Sequence, residues 1–380
     1  MKKVLLALVT AIGVWIFGFG VGVSLAEEAK KGIELSGWVD KIYLSGDLRL
    51  RYDATQKDPD PDRHRFRFRL RFGSDIEIND LIVGIRLASG TGEQVSTNQS
   101  FDSLFSQKEI WIDRAYLQWK GPSWLRLTGG KMPNPFFTIF TTGMIWDDDI
   151  NPEGFAQNLS YKSGDNLTAF INLGQFILDE DKTDNNDQFL FGEQAGIKTK
   201  LAKDLKLNLA LAYYDAVNTR EGDFGQDEVQ SGNSRVSSTD PTLLNDYNVL
   251  DLTVELATVI GTHPVSLQGD CVKNLADTTT GEDIGYNAGF IIGKASDPHT
   301  WEVAYFYKLI ETDAALADLS DSDFGDGGIN RKGHILWGSY NLTKALQFKI
   351  RYIRTEVENR DLPPNDSDIN RLLTDVSIKF

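Results

Sequence analysis

A run of closely spaced arginines is the most chemically distinctive feature of this 380-residue chain. Residues 64–72 read His-Arg-Phe-Arg-Phe-Arg-Leu-Arg-Phe, so that arginine alternates with an apolar residue. A period of two sorts residues onto opposite faces of a β-strand, whereas a helix would scatter the arginines around its axis. Guanidinium groups on one face form a ladder of fixed charge, which governs the passage of ions where it borders water. The arginines predicted to face water in this way are Arg49, Arg51, Arg65, Arg67, Arg69, Arg71, Arg86, Arg114 and Arg126.

Carboxylates form two further groups that could face these arginines. Asp251 and Glu255 lie on the polar side of a later alternating segment and predict a partly acidic face. The second group belongs to the loop 133–156 and consists of Asp147, Asp148, Asp149 and Glu153. Two interpretations remain open and can both hold. The charges set up a transverse field across water, or the arginines pair with loop carboxylates and brace the fold.

Patterns typical of catalysis or metal binding are not found in the sequence. No histidine is spaced beside a serine on an outward strand face and no G-x-S-x-G elbow occurs, so we predict no catalytic residues. The four histidines lack HxxxH spacing, and no zinc site or other cofactor is expected. The segment Asp321–Asp326 is similar to an oxygen-rich calcium loop, but it lacks the closing glutamate and is expected to be a solvated acidic loop.

The alternation of apolar and polar residues recurs along the chain and predicts the elements that position these charges. The alternating segments are about ten residues long, as a tilted strand needs to cross the hydrocarbon, whereas strands of soluble proteins average five or six residues. The predicted strands lie at 42–53, 64–74, 80–88, 110–120, 124–132, 157–162, 167–178, 189–201, 205–215, 247–260, 264–273, 283–294, 301–312, 331–342, 345–357 and 370–380. An even number of about sixteen is typical of a transmembrane barrel.

The connections between these strands alternate in length. Links from even to odd strands are short turns, whereas links from odd to even strands include the polar stretches 89–109, 133–156, 216–246 and 313–330. Phe380 ends the last alternating strand, which fits closure of a barrel without a free edge. We therefore predict an all-β fold, a transmembrane antiparallel β-barrel with short periplasmic turns and long extracellular loops, formed as a single domain by residues 42–380.

The amino terminus predicts export. Two lysines precede an apolar run, and Ser24-Leu25-Ala26 supplies small residues for cleavage, so residues 1–26 are interpreted as a signal peptide and 27–41 as a short periplasmic lead-in. An uncleaved anchor is the alternative. Composition excludes other classes of protein: a net charge of −16 argues against nucleic-acid binding, and a single cysteine excludes an internal disulfide.

Three motifs resemble those of the bacterial "putative porin" family. They are Asp113-Arg114-Ala115-Tyr116-Leu117-Gln118-Trp119, Gly130-Lys131-Met132-Pro133-Asn134-Pro135-Phe136-Phe137 and Trp146-Asp147-Asp148-Asp149-Ile150-Asn151-Pro152-Glu153-Gly154. The family usually has arginine where this chain has Lys131. The resemblance covers essentially the whole exported chain and implies a passive pore in the outer membrane that assembles as a homotrimer, but no established substrate.

In the sixteen-stranded porins that the sequence resembles, the loop after the fifth strand folds inward and narrows the channel. Here that loop is 133–156, and its aromatic residues make it too apolar to be freely solvated. We expect its apolar half to pack on the wall and its carboxylates to face the arginines as a constriction. The alternative is an extracellular loop that meets a neighbouring subunit.

The predicted function is therefore a water-filled diffusion channel for small hydrophilic solutes and ions, surrounded by outer-membrane lipid. The alternative is a structural or adhesin-type barrel with a plugged lumen, which would act through its loops.

Overall fold

The fold is known from a computed structural model that describes residues 37–380, except 181, 183–185, 221–231, 238–239, 326–327 and 363–366. The predicted signal peptide (1–26), most of the lead-in (27–41) and Asp326 of the proposed calcium-like segment lie outside the described residues. Within the described ranges, no helix has the length and apolar character to span a bilayer.

Within the described residues, sixteen long strands form one continuous antiparallel sheet, as predicted. They are β1 (Lys41–Lys57), β2 (Arg63–Ile78), β3 (Leu81–Ser89), β4 (Ile110–Lys120), β5 (Leu125–Lys131), β6 (Glu153–Ser163), β7 (Leu167–Asp179), β8 (Gln188–Ala202), β9 (Leu205–Val217), β10 (Tyr247–Ile260), β11 (His263–Asn274), β12 (Ile284–Gly293), β13 (Trp301–Ile310), β14 (Arg331–Asn341), β15 (Leu346–Val357) and β16 (Ile369–Lys379). Predicted and observed ends agree within four residues, and β1, β2 and β6 are extended most, by five residues each.

The sheet closes on itself because β1 pairs with both β2 and β16. Leu48 lies opposite Leu70 on one side and opposite Ile378 on the other. Phe380 continues this pairing beyond β16, since its backbone and that of Gly46 exchange two hydrogen bonds of 2.8 and 3.0 Å. A closed barrel has no unpaired edge, so every strand can satisfy its backbone groups in an apolar surrounding.

The alternating sequence places apolar residues outside and polar residues inside. On β1, Leu44 and Leu50 are 54% and 49% exposed, whereas Asp53 is fully buried. The outward face of β2 likewise presents Phe66 and Leu70, and its arginines point inward. The outside is therefore the apolar surface that a lipid bilayer covers.

The long and short connections occupy opposite rims of the barrel, as predicted. Two-residue turns such as 79–80 join strands at one rim, where Asn79 has a φ of 51° that short turns favour. The other rim has the long loops, among them 90–109, 132–152 and 311–330. These loops contain the 3₁₀ helices Ser103–Phe105, Phe140–Met144 and Ala317–Leu319, and a two-residue strand, Gln99–Ser100, that pairs with β2.

Two of the long loops fold against the inward faces of the strands and form a buried apolar core. Met144 and Trp146 of loop 132–152 are buried together with Phe306 of β13 and Phe324 of loop 311–330. Asn287 donates a hydrogen bond to the carbonyl of Thr141 at 3.3 Å. The interior is thus divided between this packed region and the arginine-bearing wall of β15, β16, β1 and β2.

Candidate functional site

The inward faces of β1 and β16 set arginines beside aspartates. Arg51 donates two hydrogen bonds to Asp375, from Nε to Oδ1 at 2.7 Å and from Nη2 to Oδ2 at 2.9 Å. Arg371 makes an equivalent pair with Asp53, at 3.2 and 2.9 Å. Bidentate pairs of this kind fix the plane of the guanidinium group as well as its position. They exist because the first and last strands of the barrel are neighbours.

Asp53 also accepts hydrogen bonds from the adjacent strand β2. The Oδ2 atom of Asp53 lies 2.7 Å from Nη2 of Arg65 and 3.5 Å from Nη1 of Arg67. Because it also pairs with Arg371, this buried carboxylate forms ion pairs with three arginines. Its negative charge offsets much of the repulsion between like charges that face each other across the two strands.

Asp47, further along the same strand, has the same role for two other arginines of β2. It accepts hydrogen bonds from Arg69 at 2.9 Å and from Arg71 at 2.7 Å. Asp149 of loop 132–152 lies 3.2 Å from Arg71 and 3.7 Å from Arg69. The acidic part of the loop is therefore in contact with the basic wall.

The end of the same loop is tied to β3 and β4. A bulge in their pairing leaves Asp113 without an opposite residue on β3, and Asp113 is in close contact with Arg86. Arg114 donates a hydrogen bond to Oδ1 of Asn151 at 2.6 Å, and Asn151 donates one to Asp113 at 2.8 Å. These bonds hold the loop at the point where it rejoins the barrel.

Loop 311–330 supplies a second set of carboxylates to the wall. Asp323 lies 3.3 Å from each of Arg51, Arg351 and Arg371, and Asp321 lies 3.3 Å from Arg351. Burial by itself would raise the pKa of Asp323, but these arginines hold it well below the ordinary value of an aspartate. The expectation of a solvated acidic loop was wrong for Asp321 and Asp323, because ion pairs with the wall draw them inward.

The three consecutive aspartates of loop 132–152 have different surroundings. Asp147 is 8% exposed and accepts hydrogen bonds from the backbone N–H groups of Ser322 at 2.7 Å and Asp149 at 2.8 Å. Burial, reinforced by the charges of Asp321 and Asp149, raises the pKa of Asp147 to about 8. Asp148 is exposed. Asp147 thus joins the two loops, whereas the side chain of Asp148 is exposed.

These groups enclose a cavity of about 160 Å³. Basic residues of the wall and acidic residues of the two loops line it together. The charged residues at its surface are Arg49, Arg51, Arg69, Lys349, Arg351, Asp147, Asp148, Asp149, Asp321, Asp323 and Asp375. Fixed charges of opposite sign on facing sides produce a strong local field. This arrangement acts on ions and polar solutes by electrostatics.

A family model described as "putative porin" matches residues 54–243 and 227–380, which together cover most of the chain. The chain belongs to this family. The porin is accordingly a channel protein of the outer membrane, and its barrel provides the spanning structure.

Solved structures show the same fold at low sequence identity. OprB of Pseudomonas putida has a TM-score of 0.59 at 10% identity, over 89% of this chain and 94% of its own. OmpF of Salmonella typhi, solved in complex with daunomycin, has a TM-score of 0.54 at 13% identity, over 90% and 98%. The outer-membrane channel DcaP of Acinetobacter baumannii has a TM-score of 0.50 at 15% identity, over 92% and 100%. No curated protein matches the sequence.

Two predicted charges of the porin, Asp251 and Glu255, do not line this cavity. Asp251 is 1% exposed, because its neighbours across β9 and β11, Ala212 and Val272, belong to the core that the loops cover. The expectation that Asp251 borders open water needs this correction. Glu255 is half-buried and accepts hydrogen bonds from Asn208 and Ser266, both at 2.7 Å.

Two further predicted residues of the porin also lie apart from the cavity. Glu153 begins β6, where it is exposed and pairs with Lys131 at 2.6 Å. Arg126 is exposed on β5 and borders a second cavity of about 420 Å³ that Lys198 also lines. The eight remaining predicted arginines all lie on β1 to β4.

Several contributors to the site were not selected from the sequence. They are Asp47, Asp53, Asn98, Asp321, Asp323, Lys349, Arg351, Arg371 and Asp375. The strand residues among them follow the same alternation as the arginine ladder, and Phe380 already indicated that the last strand meets the first. That signal could have located Arg371 and Asp375. No spacing in the sequence relates Asp323 to Arg51, since 272 residues separate them.

Proposed function

We propose that the porin is a water-filled passive diffusion channel for small hydrophilic solutes and ions, with its narrowest part at the charged cavity. In this proposal the arginines of β1 and β2 form one wall, and the loop 133–156, through Asp147, Asp148 and Asp149, forms the constriction. The observation that supports it best is the enclosure of the cavity by a basic wall and by two inward acidic loops.

The paired charges define what such a constriction would do. Most wall arginines have a carboxylate partner, so the net charge at the cavity is small while the separation of charge is large. Permeating ions would meet a transverse field and only weak net selection between cations and anions. Charges on exposed outer segments would contribute less, because physiological salt screens them beyond about 8 Å.

Thiol labelling at the constriction tests the proposal. Cys271 is exposed and is the chain's single cysteine, so Cys271→Ser gives a background without thiols. In that background, Asp148→Cys is compared with Leu50→Cys, whose side chain lies on the outward face. A bulky charged methanethiosulfonate reagent should reduce single-channel current in planar bilayers for Asp148→Cys and leave Leu50→Cys unchanged.

Absence of block in a fully labelled Asp148→Cys channel would remove the loop from the permeation path. The alternative function, a structural or adhesin-type barrel with a plugged lumen, draws support from the core that the two loops form inside the barrel. Under that alternative the unmodified protein inserts into the bilayer without conductance steps.

We also propose a homotrimer in outer-membrane lipid and a signal peptide that is cleaved after Ala26. The mass of the complex in detergent, corrected for bound detergent, distinguishes one barrel from three. Mass spectrometry of protein isolated from outer membranes gives the amino-terminal residue, and an intact Met1 would favour the uncleaved anchor.

A further inference from the structure

Two cations of the cavity have no ion pair in the described part of the chain. Arg49 donates a hydrogen bond from Nη2 to the amide oxygen of Asn98 at 2.7 Å, and its Nε is buried without a partner. The Nζ atom of Lys349 lies 4.6 Å from the centre of the Trp337 ring. Within the described ranges, neither group has a carboxylate oxygen inside 4.0 Å. Both line the cavity from the basic wall.

One carboxylate across the same cavity has no partner either. Asp148 is exposed, and no described residue forms a hydrogen bond or an ion pair with it. Its neighbours Asp147 and Asp149 are both engaged, the first by backbone N–H groups and the second by Arg71. The cavity therefore presents uncommitted positive charge on its wall and uncommitted negative charge on its loop.

The charge balance of the cavity decides which solutes gain most from this arrangement. Five basic and six acidic side chains line it, so a solute with net charge of either sign experiences attraction and repulsion that nearly cancel. A solute with separated positive and negative groups is attracted at both ends. The volume of about 160 Å³ suits a small molecule, since an apolar cavity of about 150 Å³ accommodates benzene, a solute of about six heavy atoms.

We propose, on the basis of the channel function above, that this cavity is a transit site for small zwitterionic solutes of amino-acid size. The solute carboxylate binds between Arg49 and Lys349, and its ammonium group binds Asp148. Such contacts in a wet site are individually weak, which permits release and continued flux.

Liposome swelling with two isomers tests this selectivity. L-Alanine is a zwitterion, and lactamide contains the same atoms without charge, so the pair differs in charge separation and not in composition. In vesicles containing the full-length porin, alanine should enter about fivefold faster than lactamide, the factor that corresponds to about 1 kcal/mol. Entry of lactamide reports that the channel is open.

Variants of the cavity residues test whether these side chains cause the faster entry of alanine. Asp148→Asn removes the partner of the ammonium group, and a double variant, Arg49→Gln with Lys349→Gln, removes the partners of the carboxylate. Each should bring the alanine-to-lactamide ratio close to one, and the rate of lactamide entry, measured in the same vesicles, normalises for any change in the pore itself. Asp204→Asn, at an exposed position in the short turn after β8, is the matched control and should retain the wild-type ratio.

The outcomes separate this inference from the channel function. If neither solute enters, the proposed channel function fails and the transit site with it. If both enter equally, or if Asp148→Asn keeps the wild-type ratio, the channel stands and the zwitterion site is refuted. Because Asp148 makes no hydrogen bond within the described chain, its variant remains decisive even if the double variant does not fold.

Discussion

Buried carboxylates hold the arginine ladder of the barrel together. Asp53 is fully buried and lies within 3.5 Å of Arg65, Arg67 and Arg371. Without it, Arg65 and Arg67 would lose their carboxylate partner among the described residues, and Arg371 would keep only Asp323. Removing one partner of a buried ion pair is far more costly than the net stabilisation by the pair, because the remaining charge is left uncompensated.

Asp53→Asn should therefore lower the free energy of unfolding by about 3 kcal/mol, as measured by urea titration of the porin in lipid vesicles. Glu356→Gln is the matched control, since its ion pair with Arg354 is exposed to solvent. The side chains of Glu356 and Arg354 are 44% and 56% exposed. Exposed pairs contribute about 0–1 kcal/mol. Equal losses in the two variants would show that the burial of Asp53 has no energetic consequence.

We expect Asp147 to make the charged cavity sensitive to pH. Its pKa is raised to about 8 by burial and by Asp321 and Asp149, so the side chain is mostly ionised at pH 9 and mostly neutral at pH 7. Lowering the pH removes one negative charge from the cavity. The zero-current potential in a salt gradient should shift toward anion selectivity between pH 9 and pH 7, and more strongly at low salt. Asp147→Asn should lose most of this shift, and a variant that retains it would place the titrating group elsewhere.

At the scale of the strand, the alternation in the sequence was sufficient to predict which face each residue occupies. The arginines from Arg65 to Arg71 and the apolar residues from Phe66 to Phe72 lie on the predicted sides of β2. The register is strongly specified, since a shift of one residue would place every arginine in lipid. Strand ends were less predictable, since β2 continues to Ile78 beyond the alternating run.

The partners of the ladder could not be predicted in the same way. Local periodicity determines the face of a residue, but contacts such as Arg371 with Asp53, 318 residues apart, depend on closure of the barrel. The position of Asp323 depends on the path of a loop without any periodic pattern. The burial of Asp251 likewise depends on a loop that covers it, and the alternation of its own strand carries no information about that loop.

A substitution on the outward face of β2 measures how closely lipid surrounds this strand. Leu70 is 39% exposed and points away from the ladder. Leu70→Arg places a guanidinium group against the hydrocarbon and should reduce stability by about 2–4 kcal/mol, with a lower yield of folded porin. Leu70→Phe keeps the face apolar and should fold normally. Equal yields from the two variants would mean that this position does not contact lipid.

For the whole molecule, closure of the barrel links its stability in lipid to the charge pattern of the cavity. The pairing of β1 with β16 satisfies the last two free edges of the sheet, and it also brings Arg371 to Asp53 and Asp375 to Arg51. Stability in lipid and the charge pattern of the cavity therefore depend on the same contact.

Removal of residues 369–380 should abolish both properties. The deletion leaves the edges of β1 and β15 without partners, and each unsatisfied backbone group in hydrocarbon costs several kcal/mol. It also deprives Asp53 of Arg371 and Arg51 of Asp375. We expect no compact, heat-modifiable form on gel electrophoresis and no conductance. Phe380→Leu, which keeps the backbone hydrogen bonds to Gly46, should retain both. A truncated chain that still gave a compact, conducting form would show that fifteen strands can close without β16, and that the ion pairs between β1 and β16 are dispensable for the channel.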